Sequence, residues 1–304
     1  MHLIRGLHNL KKLPGCVLTI GNFDGVHSGH HEIIRRLTNK AKELGVPSVV
    51  ISFSVTPQTF FGRPKARLSN FRDKHLLLES LGIEKHLLIR FNKSFSETSA
   101  HAFIEDIIIG QLNVNYCLIG DDFRFGKGRL GDFNLLEKYA GSHGFSAEKL
   151  GDIQIKGKRV SSSAIRNYLS LGEFDQAEQL LGRPYAISGL IAHGAKKGRT
   201  IGFPTINISI RRNLSPVLGV FAVLVELNNI THFGVCNVGK RPTVGGEKTL
   251  LEVFLFDFNQ EVYGEHANVI FKHQVREEKK FNSFDELKTQ IAKDVESAKR
   301  FFSI

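Results

Sequence analysis

Two histidines separated by a serine and a glycine, His27 and His30, are the residues of this sequence best suited to chemistry. They lie in the ten-residue stretch GNFDGVHSGH, which begins at Gly21. Imidazole N–H groups can donate hydrogen bonds to a phosphoryl group as negative charge builds on it, and glycines let a phosphate approach the backbone closely. The stretch therefore indicates a phosphate-binding turn. The plainer interpretation is a surface turn that two histidines happen to flank.

The elements on either side of this stretch favour the phosphate-binding interpretation. Apolar residues from Cys16 to Ile20 predict a short strand, and from His31 to Leu44 apolar residues recur at helical spacing. The histidines are thus predicted to lie where a strand turns into a helix. A helix start offers unpaired N–H groups and the positive end of the helix dipole to an anion.

A second anion-binding pattern is the run VSSSAIR, which ends at Arg166. Serine hydroxyls ahead of a helix can cap it and can also bind a phosphate. Arg166, about one turn later, can reach the same anion with a bidentate fork. Seen alone, the run is explained equally well as an ordinary helix cap.

A third pattern is HGAKKGRTIGFPTIN, which runs from His193 to Asn207. Its glycines and cations suit a loop around a phosphate, although it is one residue short of a Walker A motif and lacks that motif's lysine. Thr205 and Asn207 are two apart in a predicted extended segment, so their side chains point the same way. Neutral oxygens of this kind suit Mg²⁺ when substrate phosphates complete its shell. The alternative is a basic turn followed by a plain strand.

Charged and aromatic residues follow another predicted strand, which runs from Tyr116 to Ile119. They form the run GDDFRFG, in which Asp122, Phe123 and Arg124 are the candidate ligand contacts. Open parallel sheets bind ligands at the carboxyl ends of their strands. The run therefore predicts a ligand-contact loop, with a charged surface turn as the alternative.

The residues from Gly126 to Gly131 fit G-x-G-x-x-G, the fingerprint of dinucleotide-binding domains. That fingerprint belongs on the first strand-to-helix turn of a sheet and needs an acidic residue at the end of the next strand. Here it comes late, after a polar loop. We interpret these glycines as a mobile turn ahead of a helix predicted from Asn134 to Ala140.

Two domains are predicted from the order of the elements. Strands and helices alternate in the first half, which is typical of a parallel α/β sheet. In the second half, closely spaced strand-like runs precede one terminal helix from Phe284 to Phe301, a pattern that suggests a small closed barrel. The 304 residues can supply each domain with its own core. We place the boundary so that the domains comprise residues 1–183 and 184–304.

The composition limits the classes of partner. The 41 Lys and Arg exceed the 30 Asp and Glu, and the net charge of +11 favours anionic partners. The basic residues are scattered, without the stripe of a nucleic-acid module, so we favour small anions such as ATP. Cys16, Cys117 and Cys236 lie far apart in apolar runs and are predicted to be buried thiols. The absence of a long apolar run or a signal peptide predicts a cytoplasmic protein.

Taken together, these motifs resemble those of bacterial bifunctional riboflavin kinase/FMN adenylyltransferases, also called FAD synthetases. GNFDGVHSGH resembles the nucleotidyltransferase signature, and VSSSAIR resembles that family's Ser-Ser-Thr-x-Ile-Arg element, with Ser163 in place of threonine. The run ending at Asn207 is similar to the riboflavin kinase motif, with Lys197 where arginine is usual and Ile206 where alanine is usual. The resemblance spans nearly the whole chain, with the motifs in the family's order.

The resemblance implies a Rossmann-like nucleotidyltransferase α/β domain followed by a small β-barrel kinase domain with a terminal helix. The barrel would phosphorylate riboflavin with Mg-ATP, and the first domain would join FMN to the AMP of a second ATP, giving FAD and pyrophosphate. His27 and His30 would be catalytic in adenylyl transfer. Glu252 would be the general base that takes the proton of the riboflavin 5′-hydroxyl. Arg276 would lie near the flavin of the kinase.

The other site residues are assigned by the same resemblance. In the adenylyltransferase, ATP and its phosphates are expected to contact Gly21, Phe23, Asp24, Gly25, His27, His30, Ser161, Ser162 and Arg166. FMN is expected to contact Asp122, Phe123 and Arg124. In the kinase, ATP is expected to contact Gly194, Lys197, Gly198, Arg199, Thr205 and Asn207. The metal ligands among these are expected to be Thr205 and Asn207.

The implied partners are ATP, Mg²⁺, riboflavin and FMN, with FAD as the final product. Neither nucleic acid nor a membrane is expected, and the chain is expected to be a monomer or a weak homo-oligomer. Two alternatives stay open. An adenylyltransferase for nicotinate mononucleotide or phosphopantetheine would use the same first motif but leaves the second domain unexplained. A nucleic-acid or flavin-binding module without turnover would bind oligonucleotides with steep salt dependence.

Overall fold

A computed structural model describes residues 1–194, 202–210, 214–243 and 246–304, with the side chains of residues 240–243 and 246–248 left undescribed. The chain divides into two compact units. Unit 1 comprises Met1–Lys65 and Phe71–Ser161, and unit 2 comprises Ala66–Asn70 and Ser162–Ile304. Among the described helices, none has the length and apolar character needed to cross a bilayer.

Unit 1 is built on a six-stranded sheet in which every neighbouring pair is parallel. Its strands are β1 (His2–Arg5), β2 (Cys16–Ile20), β3 (Ser48–Val55), β4 (Lys85–Arg90), β5 (Val114–Gly120) and β6 (Ser146–Leu150). Their spatial order is β1-β4-β3-β2-β5-β6. The chain direction across the sheet therefore reverses between β2 and β5, and ligands bind such sheets at the carboxyl ends of the two strands at the reversal.

Helices cover both faces of this sheet. They are α1 (Ser28–Leu44), α2 (Pro57–Phe60), α3 (Phe71–Ser80), α4 (Lys93–Ser96), α5 (Ala100–Ala102) and α6 (Phe133–His143), with a π-helical turn at Phe103–Gln111 that continues α5. A short hairpin, β7 (Gln154–Ile155) and β8 (Lys158–Arg159), follows the sheet. One face packs Leu18 against Ile104, and the other packs Val17 against Ile34. These two cores make the predicted α/β layer.

The predicted boundaries hold best for the buried strands of unit 1. Strand β2 spans the predicted residues, and β5 contains the predicted run from Tyr116 to Ile119. Helix α1 begins three residues before the predicted start at His31, because Ser28, Gly29 and His30 already form its first turn. Strands β1 and β6 were not predicted. Both lie at edges of the sheet, where half-exposed, charged strands such as β6 lack the apolar run of a buried strand.

Helix α3 is fixed to the sheet by stacked imidazoles. His75 of α3 stacks on His86 of β4 with ring centroids 5.4 Å apart and Nδ1 atoms 3.1 Å apart. The Nε2 atom of His86 lies 2.7 Å from the Ser52 hydroxyl oxygen of β3. His86 is fully buried. This burial lowers its imidazole pKa to about 3, so His86 is neutral in the folded protein near pH 7.

Unit 2 contains a closed antiparallel barrel. Its strands are β9 (Ala186–Ala192), β10 (Ile206–Ser209), β11 (Gly219–Leu227), β12 (Ile230–Thr243), β13 (Gly246–Leu255) and β14 (His266–Arg276). Their order around the barrel is β10-β13-β12-β11-β14-β9. The described helices of this unit are α7 (Ser162–Ser170), α8 (Phe174–Leu181) and α9 (Phe284–Phe302). The predicted barrel with a terminal helix is confirmed.

Helix α8 packs against residues on the inner face of the barrel wall, and helix α9 packs against residues on its outer face. Phe174 of α8 packs its ring against Phe221 and Phe271, which point into the barrel. Ala298 of α9 packs against Val220 and other apolar residues on the outer face. Helices α7 and α8 thus group with the barrel, and the boundary predicted after residue 183 stays a prediction.

The three cysteines are all buried and unpaired, as the sequence predicted. Burial raises the pKa of each thiol, that of Cys16 to about 12. The thiols therefore stay protonated near neutral pH and act as small apolar side chains.

We expect His86 to make unit 1 sensitive to acid. Its pKa in the folded state lies below that of a free histidine, so the unfolded chain binds the proton first as the pH falls through about 6.5. Stability is therefore lost as the pH falls from about 6.5 towards 3, by about 2 kcal/mol at pH 5. Urea unfolding at pH 7 and pH 5 measures this loss.

The variant His86→Gln keeps a hydrogen-bonding side chain that does not titrate, so its loss of stability between pH 7 and pH 5 should be smaller. An equal loss in the variant and in the parent would show that other groups cause the acid sensitivity.

Candidate functional site

The turn between β2 and α1 holds its backbone in unusual conformations. Phe23 and Val26 have φ angles of 47° and 40°, and Gly25 has a φ angle of 83°. A positive φ is strained for any side chain and most strained for a β-branched one such as valine. Phe23 and Val26 are both buried, so core packing holds the turn in this form. Such strain is typical of sites where backbone groups contact a ligand.

His27 and His30 form a stacked pair at the end of this turn. Their ring centroids are 3.6 Å apart and their planes are inclined by 15°. His27 is the N-cap of α1, and its backbone N–H donates to Nδ1 of His30 at 3.2 Å. Because Nδ1 accepts this hydrogen bond, the neutral His30 ring carries its proton on Nε2. The pair thus provides an N–H donor beside the positive end of a helix.

Gly29 leaves room for the His27 ring. A β-carbon built at Gly29 would lie 3.3 Å from the His27 ring and 3.6 Å from Cγ1 of Val160. The segment that ends unit 1 therefore lies against the start of α1. Ser161 is the next residue after Val160.

Ser162 and Arg166 belong to unit 2, where α7 begins at Ser162. The Nε atom of Arg166 donates to the carbonyl of Ala66 at 2.5 Å. The predicted contacts of Ser161, Ser162 and Arg166 with ATP phosphates stay predictions.

The sheet brings the predicted ligand-contact loop after β5 to the same edge as the turn that contains His27 and His30. Strands β2 and β5 are neighbours, with Thr19 opposite Leu118. Asp122 and Arg124 follow β5 and are exposed, and Phe123 is partly buried. The turn that begins at Gly21 and the predicted flavin loop thus follow adjacent strand ends.

Aromatic residues form a continuous chain along this edge, each ring within about 6 Å of the next. The ring-to-ring contacts run in order through Phe61, Phe60, Phe91, Phe95, Phe103, Phe125 and Phe123, with centroid distances from 5.1 to 6.1 Å. Phe61 is 62% exposed. Among these aromatic residues, only Phe123 was predicted from the sequence to belong to a site. The signal that was missed is the recurrence of phenylalanine after three strands, β3, β4 and β5.

The glycines that fit G-x-G-x-x-G pack within a closed turn. Phe125 and Gly131 form an isolated antiparallel bridge around it. A β-carbon at Gly126 would lie 2.6 Å from the Ala100 backbone. These glycines therefore permit close packing, in agreement with their interpretation as a turn.

In unit 2, the strand register gathers the kinase candidates on one face. Asn207 of β10 is directly opposite Glu252 of β13, and Glu252 is directly opposite Asn237 of β12. Opposite residues of antiparallel strands point to the same face. Leu251 and Val253 on either side of Glu252 are fully buried, so Glu252 points to the outer face of the barrel. Glu252 is thus flanked on this face by an asparagine on each neighbouring strand.

Gly194 makes room for Asn207. A β-carbon at Gly194 would lie 2.1 Å from Nδ2 of Asn207 and 2.7 Å from its Oδ1. Asn207 is thus held against the start of the glycine-rich loop, and Thr205 lies two residues before it, just ahead of β10. The predicted contacts Lys197, Gly198 and Arg199 lie outside the described residues.

Arg276 continues the row on the outer face, because Val220 of β11 is opposite both Asn237 and Arg276. Its Nε and Nη2 atoms donate to the Asp294 carboxylate of α9 at 2.9 and 2.8 Å. Gln290 also donates to Asp294. Helix α9 therefore fixes the guanidinium, and the predicted contact of Arg276 with flavin stays a prediction.

Asn237 and Lys74 were not predicted from the sequence to be site residues. Asn237 sits in an apolar strand, and only the register with Glu252 shows that it flanks the carboxylate. Lys74 is buried, and its Nζ atom donates to the backbone carbonyl of Asn22 at 2.7 Å. No local sequence signal distinguishes Lys74 from an exposed helical lysine.

The two units define a class of protein before any comparison is made. A parallel sheet with a donor-rich helix start at its reversal point is typical of nucleotide-binding α/β domains. The second unit carries its own row of two asparagines and a glutamate on one face of the barrel. The chain thus has the architecture of a two-domain, phosphate-handling transferase.

Two protein families match successive parts of the chain. The family model described as FAD synthetase matches residues 9–164, and the one described as riboflavin kinase matches residues 181–302. Two curated relatives are named bifunctional riboflavin kinase/FMN adenylyltransferase. The relative from Haemophilus influenzae is 47% identical over 100% of both chains, and that from Escherichia coli K12 is 44% identical over 100% of this chain and 99% of its own.

A solved structure agrees in fold over both units. It is titled as a macrolide-efflux protein from Streptococcus pneumoniae and has a TM-score of 0.79, with 29% identity over 97% of each chain. On the full-length relatives and the two family models, this chain belongs to the bifunctional riboflavin kinase/FMN adenylyltransferase family.

We expect Gly194→Ala to remove kinase activity, because the added methyl group would displace the Asn207 amide. FMN formation from riboflavin and Mg-ATP should fall by at least about 30-fold, within the range for a displaced catalytic-site group. FAD formation from supplied FMN is the internal control and should be unchanged. Full kinase activity in the variant would show that the position of Asn207 is not needed.

Proposed function

We propose that the two units carry out successive reactions. The barrel transfers the γ-phosphate of ATP to riboflavin, and the α/β unit joins the resulting FMN to the AMP of a second ATP. The observation that carries this proposal is the presence of two separate constellations, the His27–His30 pair in one unit and the Asn207–Glu252 row in the other. Each constellation has the groups that one transfer requires.

In the kinase reaction, Glu252 acts as the general base. Its carboxylate accepts the proton of the riboflavin 5′-hydroxyl as that oxygen attacks the γ-phosphorus, and the bond to the bridging oxygen of ADP breaks. Asn207 and Asn237 flank Glu252 and orient it. This arrangement keeps the base on the open, outer face of the strand.

The residues around Asn207 suit Mg²⁺. Thr205 and Asn207 offer neutral oxygens, and the lack of a side chain at Gly194 lets the Asn207 amide lie against the start of the glycine-rich loop. These two residues would hold the ion. When bound, Mg²⁺ supplies positive charge that offsets the charge of the ATP phosphates.

In the adenylyltransferase reaction, a phosphate oxygen of FMN attacks the α-phosphorus of ATP. The bond to the pyrophosphate oxygen breaks, and no covalent enzyme intermediate is needed. Nε2–H of His30 and the N–H groups at the start of α1 donate to the phosphoryl oxygens as charge moves onto pyrophosphate. His27 supports the ring of His30 by stacking.

The aromatic chain provides a surface for the flavin ring in this unit. Exposed Phe61 and its neighbour Phe60 offer ring faces and edges to a planar tricyclic ligand. Asp122 and Arg124 flank Phe123, the residue at the other end of the aromatic chain, and offer polar contacts to the ribityl phosphate and the nucleotide. The sequence alone suggested only the polar end of this surface.

We place both reactions in the cytoplasm, where ATP is abundant, and propose that the chain acts as a monomer or weak homo-oligomer. Small anionic nucleotides account for the net charge of +11 without a nucleic-acid partner. Incubation with riboflavin and Mg-ATP, with FMN and FAD followed separately over time, tests the whole proposal. FMN should appear first and FAD should follow, and failure of either product to form would contradict it.

We expect His30→Ala to lower the rate of FAD formation from FMN by about 10²-fold or more, because a donor to the developing charge is lost. FMN formation from riboflavin should be nearly unchanged. His143→Ala, which removes an exposed histidine of the same unit, is the matched control and should keep both activities. Loss of both activities in His30→Ala would contradict separate sites.

We expect Glu252→Gln to have the reverse effect. FMN formation should fall by about 10²-fold or more because the base is lost, while FAD formation from supplied FMN continues. Glu226→Gln changes an exposed carboxylate on β11 of the same barrel and should leave both rates unchanged. An unchanged kinase rate in Glu252→Gln would exclude Glu252 as the base.

A further inference from the structure

Lys74 is a buried cation beside the adenylyltransferase turn. Only 7% of the residue is exposed, and its Nζ atom donates to the carbonyl of Asn22 at 2.7 Å. Removing an ammonium group from water is costly, and lysine is rarely buried unless its charge is used. The contact also joins α3 to a turn that lies 52 residues earlier in the chain.

The carbonyl that Lys74 binds lies directly before a strained residue of the turn. Asn22 is followed by Phe23, with a φ angle of 47°. In a trans peptide the C=O and the next N–H point in opposite directions. By holding the Asn22 carbonyl, Lys74 directs the Phe23 N–H to the opposite side of the peptide. Within the described part of the chain, that N–H makes no hydrogen bond.

Asn22 provides a second sign that a ligand completes this turn. Its side-chain Oδ1 atom is buried and meets no hydrogen-bond donor among the described residues. A buried acceptor without a donor is costly, and such groups in native proteins usually have a ligand or water as partner. The backbone carbonyl of the same residue is satisfied by Lys74. The Asn22 backbone carbonyl is therefore fixed by Lys74, whereas the Asn22 side-chain oxygen meets no donor among the described residues.

Helix α3 is held firmly enough to direct Lys74. The adjacent His75 stacks on buried His86, and Phe71 packs beneath the guanidinium of Arg5 at 5.6 Å. Leu78, one turn after Lys74, is fully buried in the same core as Phe23 and Val26. The ammonium thus approaches the turn from a rigid element.

We propose that Lys74 is a positioning residue for adenylyl transfer, which fixes the Asn22–Phe23 peptide so that the Phe23 N–H faces the phosphates of ATP. The proposal rests on the function proposed above for the turn. Lys74 itself makes no contact with ATP. Its effect is on the binding and alignment of the nucleotide.

The test compares three variants of the full-length protein. Lys74→Met keeps the length of the side chain and removes the charge and donor, and Lys74→Arg keeps a donor. Leu112→Ala weakens the core of unit 1 at the amino end of β5, away from the turn. For each, kcat and KM for ATP are measured in FAD formation from FMN, riboflavin phosphorylation is measured in the same preparation, and the thermal midpoint is recorded.

Lys74→Met should lower kcat/KM for ATP in FAD formation at least tenfold, mainly through a higher KM, and should leave the kinase within twofold of the parent. Lys74→Arg should recover the value to within about threefold of the parent. Leu112→Ala should lower the thermal midpoint but keep kcat/KM for ATP within twofold at temperatures below its transition.

The proposal is overturned if Lys74→Met keeps kcat/KM for ATP within twofold, or if Lys74→Met and Leu112→Ala lower it equally. It is also overturned if Lys74→Arg is impaired as much as Lys74→Met. A parent protein that forms no FAD would instead contradict the proposed function of the turn.

Discussion

A strained strand-to-helix turn is the constraint on which unit 1 depends. An anion can be bound by a helix start only if the backbone before it bends sharply and leaves its N–H groups free for the ligand. Here the bend requires positive φ angles at Phe23, Gly25 and Val26, two of which carry side chains. The strained conformation persists because the packing of the surrounding core outweighs its energetic cost. Buried Phe23 and Val26 anchor the turn from below, and the ammonium of Lys74 holds the Asn22 carbonyl.

The histidine pair depends on the same turn. His27 caps α1 only because the chain enters the helix from an extended conformation, with φ and ψ angles of −79° and 172°. That entry lets its N–H reach His30, which fixes the tautomer of the catalytic candidate. A single backbone geometry therefore sets the helix start, the ring stack and the position of the proton on His30.

Unit 2 uses a different principle to assemble its site. In unit 1, residues far apart in sequence meet because parallel strands end at one edge. In the barrel, Asn207, Glu252 and Asn237 meet because antiparallel register places them directly opposite one another across three strands. Such a row is sensitive to register, because a shift by one residue would turn Glu252 into the barrel interior. The buried Leu251 and Val253 prevent that shift by fixing which face is apolar.

The sequence by itself determined the local parts, namely the buried strands β2 and β5, the helix after the histidine turn, and the motifs that assign the family. These follow from apolar periodicity and from glycine, serine and histidine at fixed spacing, which are properties of neighbouring residues. Only the tertiary structure decided that phenylalanines after three strands form one aromatic chain, that Asn237 lies opposite Glu252, and that Lys74 reaches the turn. Edge strands such as β6 were also decided there. The reason is physical: these contacts join residues distant in the chain, and their partners are set by strand order and register, which no short stretch of sequence contains.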